Sequence, residues 1–255
     1  MWTESLQSAT IPPSLKTQYI TPIFKKGNKT DPANYRPVSI TSHLIKTFER
    51  VIRNHMVSHL EGSKLLSESQ HGFRKQRSCL TRFISHVDNV LECLNNGEEV
   101  DTIYLDYAKA FDKVDHNILL AELRKYGIKG KVYNWIKEFL RLRIQIVMVE
   151  GKKSTFRIVI SGVPQGTVIG PILFILYIND LIEVLKHSKG LSFADDTKLV
   201  KAISGMQSVS QLQEDLWLVI QWSQANNMLL HEKKFEVLNY VLNTSSLLRQ
   251  LYIRL

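Results

Sequence analysis

The chain has 255 residues, 44% hydrophobic and 22% charged, a composition that excludes a disordered polymer and allows one large domain or two intimate subdomains. Lysine and arginine outnumber aspartate and glutamate by 33 to 24, and the formal charge of +9 suits a chain that meets polyanions, although solubility alone would give the same balance. Two cysteines, Cys79 and Cys93, are too few for a disulfide framework and are not spaced as a metal knuckle, which points to a reducing intracellular compartment, nucleus or cytoplasm.

The first stretch, "MWTESLQSATIPPSLKTQYI", has no basic start followed by an apolar core, so no signal peptide is expected. No run of 18 uncharged apolar residues occurs, and no membrane span or membrane partner is expected. Leu44, Ile45, Phe48, Val51, Ile52, Met56 and Leu60 recur with the helical period and predict an amphipathic helix over 44–60, with Lys46, Arg50 and Arg53 on its other face. A second helix is expected over about 80–95. "VDTIYLDY" (100–107) is short and β-branched and reads as a strand. "DHNILLAELRKYG" (115–127) reads as a helix with Asp or Asn as its cap and Gly127 past its end. "RIQIVMVE" and "STFRIVI" flank "GKK" as a hairpin, and "TVIGPILFILYI" is too short to span a bilayer and reads as a buried helix. "LSFADDTKLV" (191–200) reads as two strands with Asp195 and Asp196 at the turn, after which 209–227 returns to helical periodicity. With no internal repeat and no linker, helices and antiparallel hairpins mixed in this way predict an α+β fold.

The paired aspartates raise a chemical question. Adjacent carboxylates repel, and a bound cation relieves that repulsion; Mg²⁺ takes oxygen ligands, commonly one or two carboxylates plus substrate phosphates. Asp106 ends the strand over 100–107, with Asp112 and Asp115 after it. If that strand lies beside the 191–200 hairpin, Asp106 and Asp195 could share two cations about 3.5–4 Å apart, the arrangement that serves phosphoryl transfer. Spacing alone leaves a second reading open, in which these are turn and cap residues.

Six stretches taken together decide between the two. "ITPIFKKGNKTDPANYRPVSITSHLIKTFERVI", "SESQHGFRKQRSCLTRF", "IYLDYAKAFDKVDH", "SGVPQGTVIGPILFILYINDL", "LSFADDTKLV" and "NNMLLHEKKFEVL" occur in the order found in the reverse transcriptase domain of non-LTR (LINE-class) retrotransposons, which the chain resembles over nearly its whole length. The resemblance implies a right-hand polymerase with fingers and palm, the palm an antiparallel sheet backed by helices, copying an RNA template from a DNA primer with dNTP and two Mg²⁺ ions, or Mn²⁺. It places fingers over 1–100 and palm over 101–240, with fingers residues interleaved around 115–160, and leaves 241–255 as a shortened tail with the thumb largely absent.

By the same resemblance Asp106 and Asp195 are metal ligands and catalytic, with Asp196 a less directly coordinating neighbour. Phe111 faces the sugar, where its ring would clash with a 2′-hydroxyl. Arg36 in "NYRPVS", a planar donor fork, contacts the triphosphate, with Lys25 and Lys26 as nearby point charges that a solvated basic turn would equally provide. Gln165 and Gly166 in "SGVPQG" lie against nucleotide and template. Lys234 approaches the leaving pyrophosphate; Lys233 is its neighbour, and His231 stands where the family more often has Asn. Arg74, Lys75 and Arg77 face nucleic acid, holding a strand without reading it. Two other classes stay open: a catalytically inactive fragment that only binds nucleic acid, and an RNA-templated RNA polymerase, against which Phe111 and "SGVPQG" argue.

Overall fold

The computed structural model describes residues 2–231 and 234–241, so the expected tail over 241–255 lies outside the described residues beyond position 241. In chain order the elements are α1 (Trp2–Ser8), α2 (Pro13–Lys16), β1 (Thr17–Phe24), β2 (Tyr35–Ile40), α3 (His43–Gly62), α4 (Cys79–Asn95), β3 (Glu99–Leu105), α5 (Ala110–Lys113) and α6 (His116–Lys125). They continue with α7 (Gly130–Leu140), β4 (Arg143–Val149), β5 (Lys152–Lys153), β6 (Arg157–Val159), α8 (Gly170–Tyr177), β7 (Lys189–Phe193), β8 (Asp196–Ile203), α9 (Met206–Ala225) and β9 (Glu236–Tyr240). Two compact units divide the chain, neither continuous in sequence: Met1–Leu65 with Phe111–Tyr177, and Leu66–Ala110 with Ile178–Leu255. These units are defined by packing, whereas the expected division into fingers over 1–100 and palm over 101–240 is one of role.

In the first unit the sheet runs β2-β1-β4-β5, with β6 also on β4. β1 and β2 are antiparallel with Pro22 opposite Pro37, and β1 is parallel to β4. Proline removes a ladder donor and weakens a strand pattern, and the pair hides this hairpin from a sequence reading, which leaves 17–40 without strands. The hairpin after β4 turns at Glu150 (φ +49) and Gly151 (φ +77), with Val149 opposite Lys152. Two consecutive left-handed residues make the tight turn, as hairpin twist requires. The turn therefore precedes Lys152, and Lys152 and Lys153 already belong to the returning strand, a correction to the "GKK" loop.

Ser42 caps α3 by accepting the Leu44 N–H at 3.3 Å. Ile45, Phe48, Ile52, Met56 and Leu60 are buried as their period predicts, but Leu44 and Val51 are 56% and 49% exposed. Residues 44 and 51 are seven apart and lie on one outer edge of the stripe, while Glu49 occupies an inner place and is fully buried. α8 is apolar all round and buried at every position but Pro171, which is half-buried, the expected state of such a helix. Asp115 is the cap of α6, its carboxylate accepting from Asn117 N–H (2.8 Å) and Ile118 N–H (3.2 Å), and Gly127 ends that segment at φ +77.

The second unit carries an antiparallel sheet of order β7-β8-β3-β9. β3 lies between two neighbours and is buried on both faces, including Asp101 and Thr102; the Asp101 carboxylate accepts from Asn239 Nδ2 at 2.6 Å. α4 packs against β3 and β7, and α9 against β8. Asp215 of α9 is fully buried and accepts the N–H groups of Lys186, His187 and Ser188 at 2.8, 3.0 and 2.6 Å. Among the described residues no helix is long and apolar enough to cross a membrane.

Candidate active site

β3 and β8 are antiparallel with Leu105 opposite Thr197, so Asp106, one residue further, reaches the level of Asp196, which itself faces Phe193 of β7. Paired strands lie about 4.8 Å apart, so the register alone brings Asp106 to the Asp195–Asp196 turn. Ala194 and Asp195 form that turn, with Ala194 at φ +54, and Asp196 begins β8, so of the two aspartates expected at the turn only Asp195 lies in it.

Burial pushes the Asp195 carboxyl above the usual carboxylate range, its own backbone N–H opposes this, the charges of Asp196 and Asp106 push further up, and Lys234 pulls down. The position of Lys234 is set by backbone. Tyr107 bridges Leu230, Ala108 N–H donates to Leu229 O (2.8 Å), His231 N–H to Asp106 O (2.8 Å) and Lys234 N–H to His231 O (2.8 Å). The Lys234 ammonium then pairs with Asp106 Oδ2. Asp196 is exposed and acts on the Arg82 guanidinium and on Lys198, whose ammonium sits 4.6 Å from the centre of the Tyr104 ring.

This donor set fits a hard divalent cation. It consists of carboxylate oxygens, it carries more negative charge than Lys234 offsets, and a cation would favour the ionised Asp195 that burial first and then the charges of Asp196 and Asp106 disfavour. Among the described residues no three His, Cys, Asp or Glu side chains form a cage of their own. Mg²⁺ sites commonly complete their shell with water and substrate phosphate, so an open carboxylate pair is enough.

The remaining predicted residues of the first unit fall into two groups. Lys25, Lys26 and Arg36 are exposed on the β1–β2 hairpin, whose loop is closed by Lys25 N–H donating to Asn34 O at 2.9 Å. The "SGVPQG" loop is fastened to the segment that carries Phe111. Val163 N–H donates to Phe111 O (2.8 Å), Gly162 N–H to Val114 O (2.8 Å), and Gln165 Nε2 to Asp112 Oδ1 (3.0 Å). A Cβ on Gly166, at φ +103, would lie 2.5 Å from Ser39 O, so only glycine lets the loop pass β2 this closely. Phe111 is half-buried, one ring face stacked on Phe174 with centroids 4.1 Å apart.

Of the three basic residues in "FRKQRS", Lys75 is exposed, while Arg77 pairs with Glu68. Arg74 departs from the expectation of facing nucleic acid. Its side chain is 6% exposed and its Nη1 donates to Ser67 O at 2.6 Å, because the turn around it leaves carbonyls that need a donor. The sequence reading missed two buried anchors. Gln70, within "SESQHG", holds the turn at Ala194, and Glu49 of α3 accepts Val168 N–H (2.6 Å) and Ile169 N–H (3.1 Å). For Glu49 a signal existed, a carboxylate on the apolar face of a predicted helix; nothing in composition or period marks Gln70.

Residues 23–247 match the family described as reverse transcriptase (RNA-dependent DNA polymerase). Among curated relatives, the RNA-directed DNA polymerase from mobile element jockey of Drosophila melanogaster is 32% identical over 92% of the chain and 26% of its own length. A probable RNA-directed DNA polymerase from transposon X-element of the same species is 32% identical over 71% of the chain and 20% of its own length. The chain thus spans about a quarter or less of the length of these relatives. Among solved structures, telomerase from Candida albicans with a TWJ fragment of telomeric RNA superposes with a TM-score of 0.64 at 12% identity, covering 96% of this chain and 45% of that one. Apo telomerase from Candida tropicalis, truncated from its C-terminal domain, gives 0.62 at 14% identity over 92% and 52%. At such identities the likeness shows the fold, and the α+β architecture with antiparallel sheet is that of a polymerase palm with fingers.

Proposed function

The chain belongs to the reverse transcriptase family, and on that premise we propose that it is the polymerase segment of a non-LTR retrotransposon enzyme, transferring dNTP to a DNA primer on an RNA template. The reaction is attack of the primer 3′-hydroxyl on the α-phosphate, with pyrophosphate leaving. Alignment and charge stabilisation supply most of the catalysis in such transfers. Asp106 and Asp195 are the groups that would hold divalent ions, Mg²⁺ or Mn²⁺, and when bound these ions supply charge to the attacking and leaving oxygens. Asp196 sits beside them as a positioning carboxylate.

Arg36, with Lys25 and Lys26, holds triphosphate oxygens through exposed cationic groups. Gln165 and Gly166 lie against the nucleotide, and the bulk of the Phe111 ring excludes a 2′-hydroxyl. Lys234 stabilises charge on the departing pyrophosphate. Lys75 and Arg77 meet the nucleic-acid backbone, where contacts to phosphate weaken steeply with salt. Intracellular location, in nucleus or cytoplasm, is part of the same proposal.

The observation that carries this reading is the β3–β8 register, which sets Asp106 beside the Asp195–Asp196 turn with Lys234 on Asp106. Primer extension on an RNA template tests it. Synthesis with dNTP and a divalent ion, lost in Asp195→Ala, is the expected result. Salt-sensitive binding without synthesis would leave a nucleic-acid-binding fragment, and extension with rNTP would make the chain an RNA polymerase.

A further inference from the structure

The turn that carries Asp195 does not hold its shape through its own strands alone. The segment 69–72 lies along β7 as a short extra strand: Gln70 and Ser192 form a parallel bridge, Ser192 N–H donates to Ser69 O at 2.9 Å, and His71 N–H donates to Ser192 O at 2.8 Å. From this segment the Gln70 side chain, 3% exposed, reaches the turn itself. Its Oε1 accepts from Ala194 N–H at 2.9 Å and from Gly72 N–H at 2.7 Å, and its Nε2 donates to Ala194 O at 3.3 Å. Both backbone polar groups of the residue before Asp195 are therefore held by one amide. Ala194 sits at φ +54, a conformation that a non-glycine residue keeps only when its surroundings impose it. Gly72 completes the contact, since a Cβ there would lie 2.4 Å from Ala194 N.

We infer that Gln70, with Gly72 as its close-approach partner, is a positioning residue that sets the aim of the Asp195 carboxylate by fixing both backbone groups of Ala194. The inference rests on the polymerase reading of Asp195. The amide is suited to this place because it supplies an acceptor and a donor without charge, whereas a carboxylate would add a further negative group beside Asp195, Asp196 and Asp106. The chain segment that ends at Gly72 is thus tied to the chemistry without touching substrate. Groups that orient a metal-binding carboxylate typically change activity by about 10- to 100-fold when lost.

The test compares Gln70→Met, Gln70→Glu and Gly72→Ala with Asp215→Asn, which removes a buried carboxylate that caps residues 186–188 at the other end of β7. Hydrogen exchange over residues 191–197 of the 255-residue chain is read first, without substrate. Gln70→Met and Gly72→Ala are expected to speed exchange at the Ala194 amide at least about 10-fold, and Gln70→Glu, which keeps the acceptor oxygen, to restore most of the protection. In primer extension the first two should lower kcat by about 10- to 100-fold while KM for dNTP moves less than about threefold, the pattern of lost alignment and not of lost binding. The Mn²⁺ concentration for half-maximal rate should rise with them. Asp215→Asn should lower the melting temperature and leave kcat and the Mn²⁺ midpoint in place. Unchanged exchange in Gln70→Met, or a kcat loss in all variants that simply follows melting temperature, overturns the inference. If the wild-type chain extends no primer, the polymerase reading falls, and the exchange data still decide whether Gln70 holds the turn. Should Gln70→Met not fold, Gln70→Glu replaces it: an unprotected 191–197 segment there, or protection equal to wild type in Gly72→Ala, rejects the arrangement.

Discussion

The "SGVPQG" loop of one unit and the Asp195 turn of the other are fastened by the same device with opposite electrical character. At the loop, Glu49 Oε2 accepts two consecutive N–H groups, those of Val168 and Ile169. At the turn, Gln70 Oε1 also accepts two, those of Gly72 and Ala194. Burial pushes the Glu49 carboxyl up, and the N–H groups of Ile169 and Val168 together with Arg143 and Lys46 pull it down. Arg143 is itself fully buried, lowered to about 10 by burial against the pull of Glu49, and bonded to Gln18 Oε1 at 3.1 Å. A charged anchor is stronger per hydrogen bond but needs a buried counter-charge to sustain it. Beside three aspartates no such charge could be added without altering them, and a neutral amide serves instead.

The contrast is open to experiment at its strong end first. Glu49→Leu leaves the buried Val168 and Ile169 N–H groups without an acceptor and removes the negative charge that acts on Arg143, so urea unfolding should show a loss of about 3–5 kcal/mol, from two orphaned donors at about 1–3 kcal/mol each. A loss near that of an ordinary neutral hydrogen bond, about 1 kcal/mol, would erase the distinction between the two anchors.

Asp195→Asn probes the other side. A carboxyl raised in the folded state contributes stability while protonated, below the ordinary value of 3.8, and loses it as pH rises through its folded value. At neutral pH the wild type carries this penalty, so without divalent ions Asp195→Asn should melt a few degrees higher, roughly 2–4 °C for each kcal/mol relieved. The difference should close as pH falls through the carboxylate range, and a thermal melt series from pH 7 to acid follows it. A variant that melts lower than wild type at pH 7 would mean that the turn carries no unrelieved charge. The smallest effect belongs to Val51→Ala, on the exposed edge of the helix that bears Glu49; unfolding free energy should stay within about 0.5 kcal/mol.

Period and punctuation made much of this molecule readable. α3, α4, α6, α8, α9 and the β3 and β7–β8 strands follow from apolar spacing, Asp115 and Gly127, and chain order alone supplied the six motifs that led to Asp106 and Asp195. The β1–β2 hairpin escaped because Pro22 and Pro37 break the strand pattern, yet the two prolines face each other in register where neither owes the other a donor. Leu44 and Val51 look inward-facing by period, because composition cannot show that a carboxylate takes the place beside Phe48. Arg74 looks outward-facing by sequence, because a basic run reads alike whether it meets phosphate or the carbonyl of Ser67. Gln70 was invisible for a similar reason: its worth lies in the conformation of Ala194, more than a hundred positions later, and no local pattern encodes that.

The strand order of the second unit has a bearing on how the chain comes to be made. β3, an inner strand, leaves the ribosome before both strands that flank it, β8 and β9, which are synthesised far downstream of it. Until they arrive, an apolar strand with two open edges waits in the nascent chain, the state most prone to pair with a neighbouring copy. Non-local pairing of this kind is slow, and the acidic centre can assemble only at the end of it.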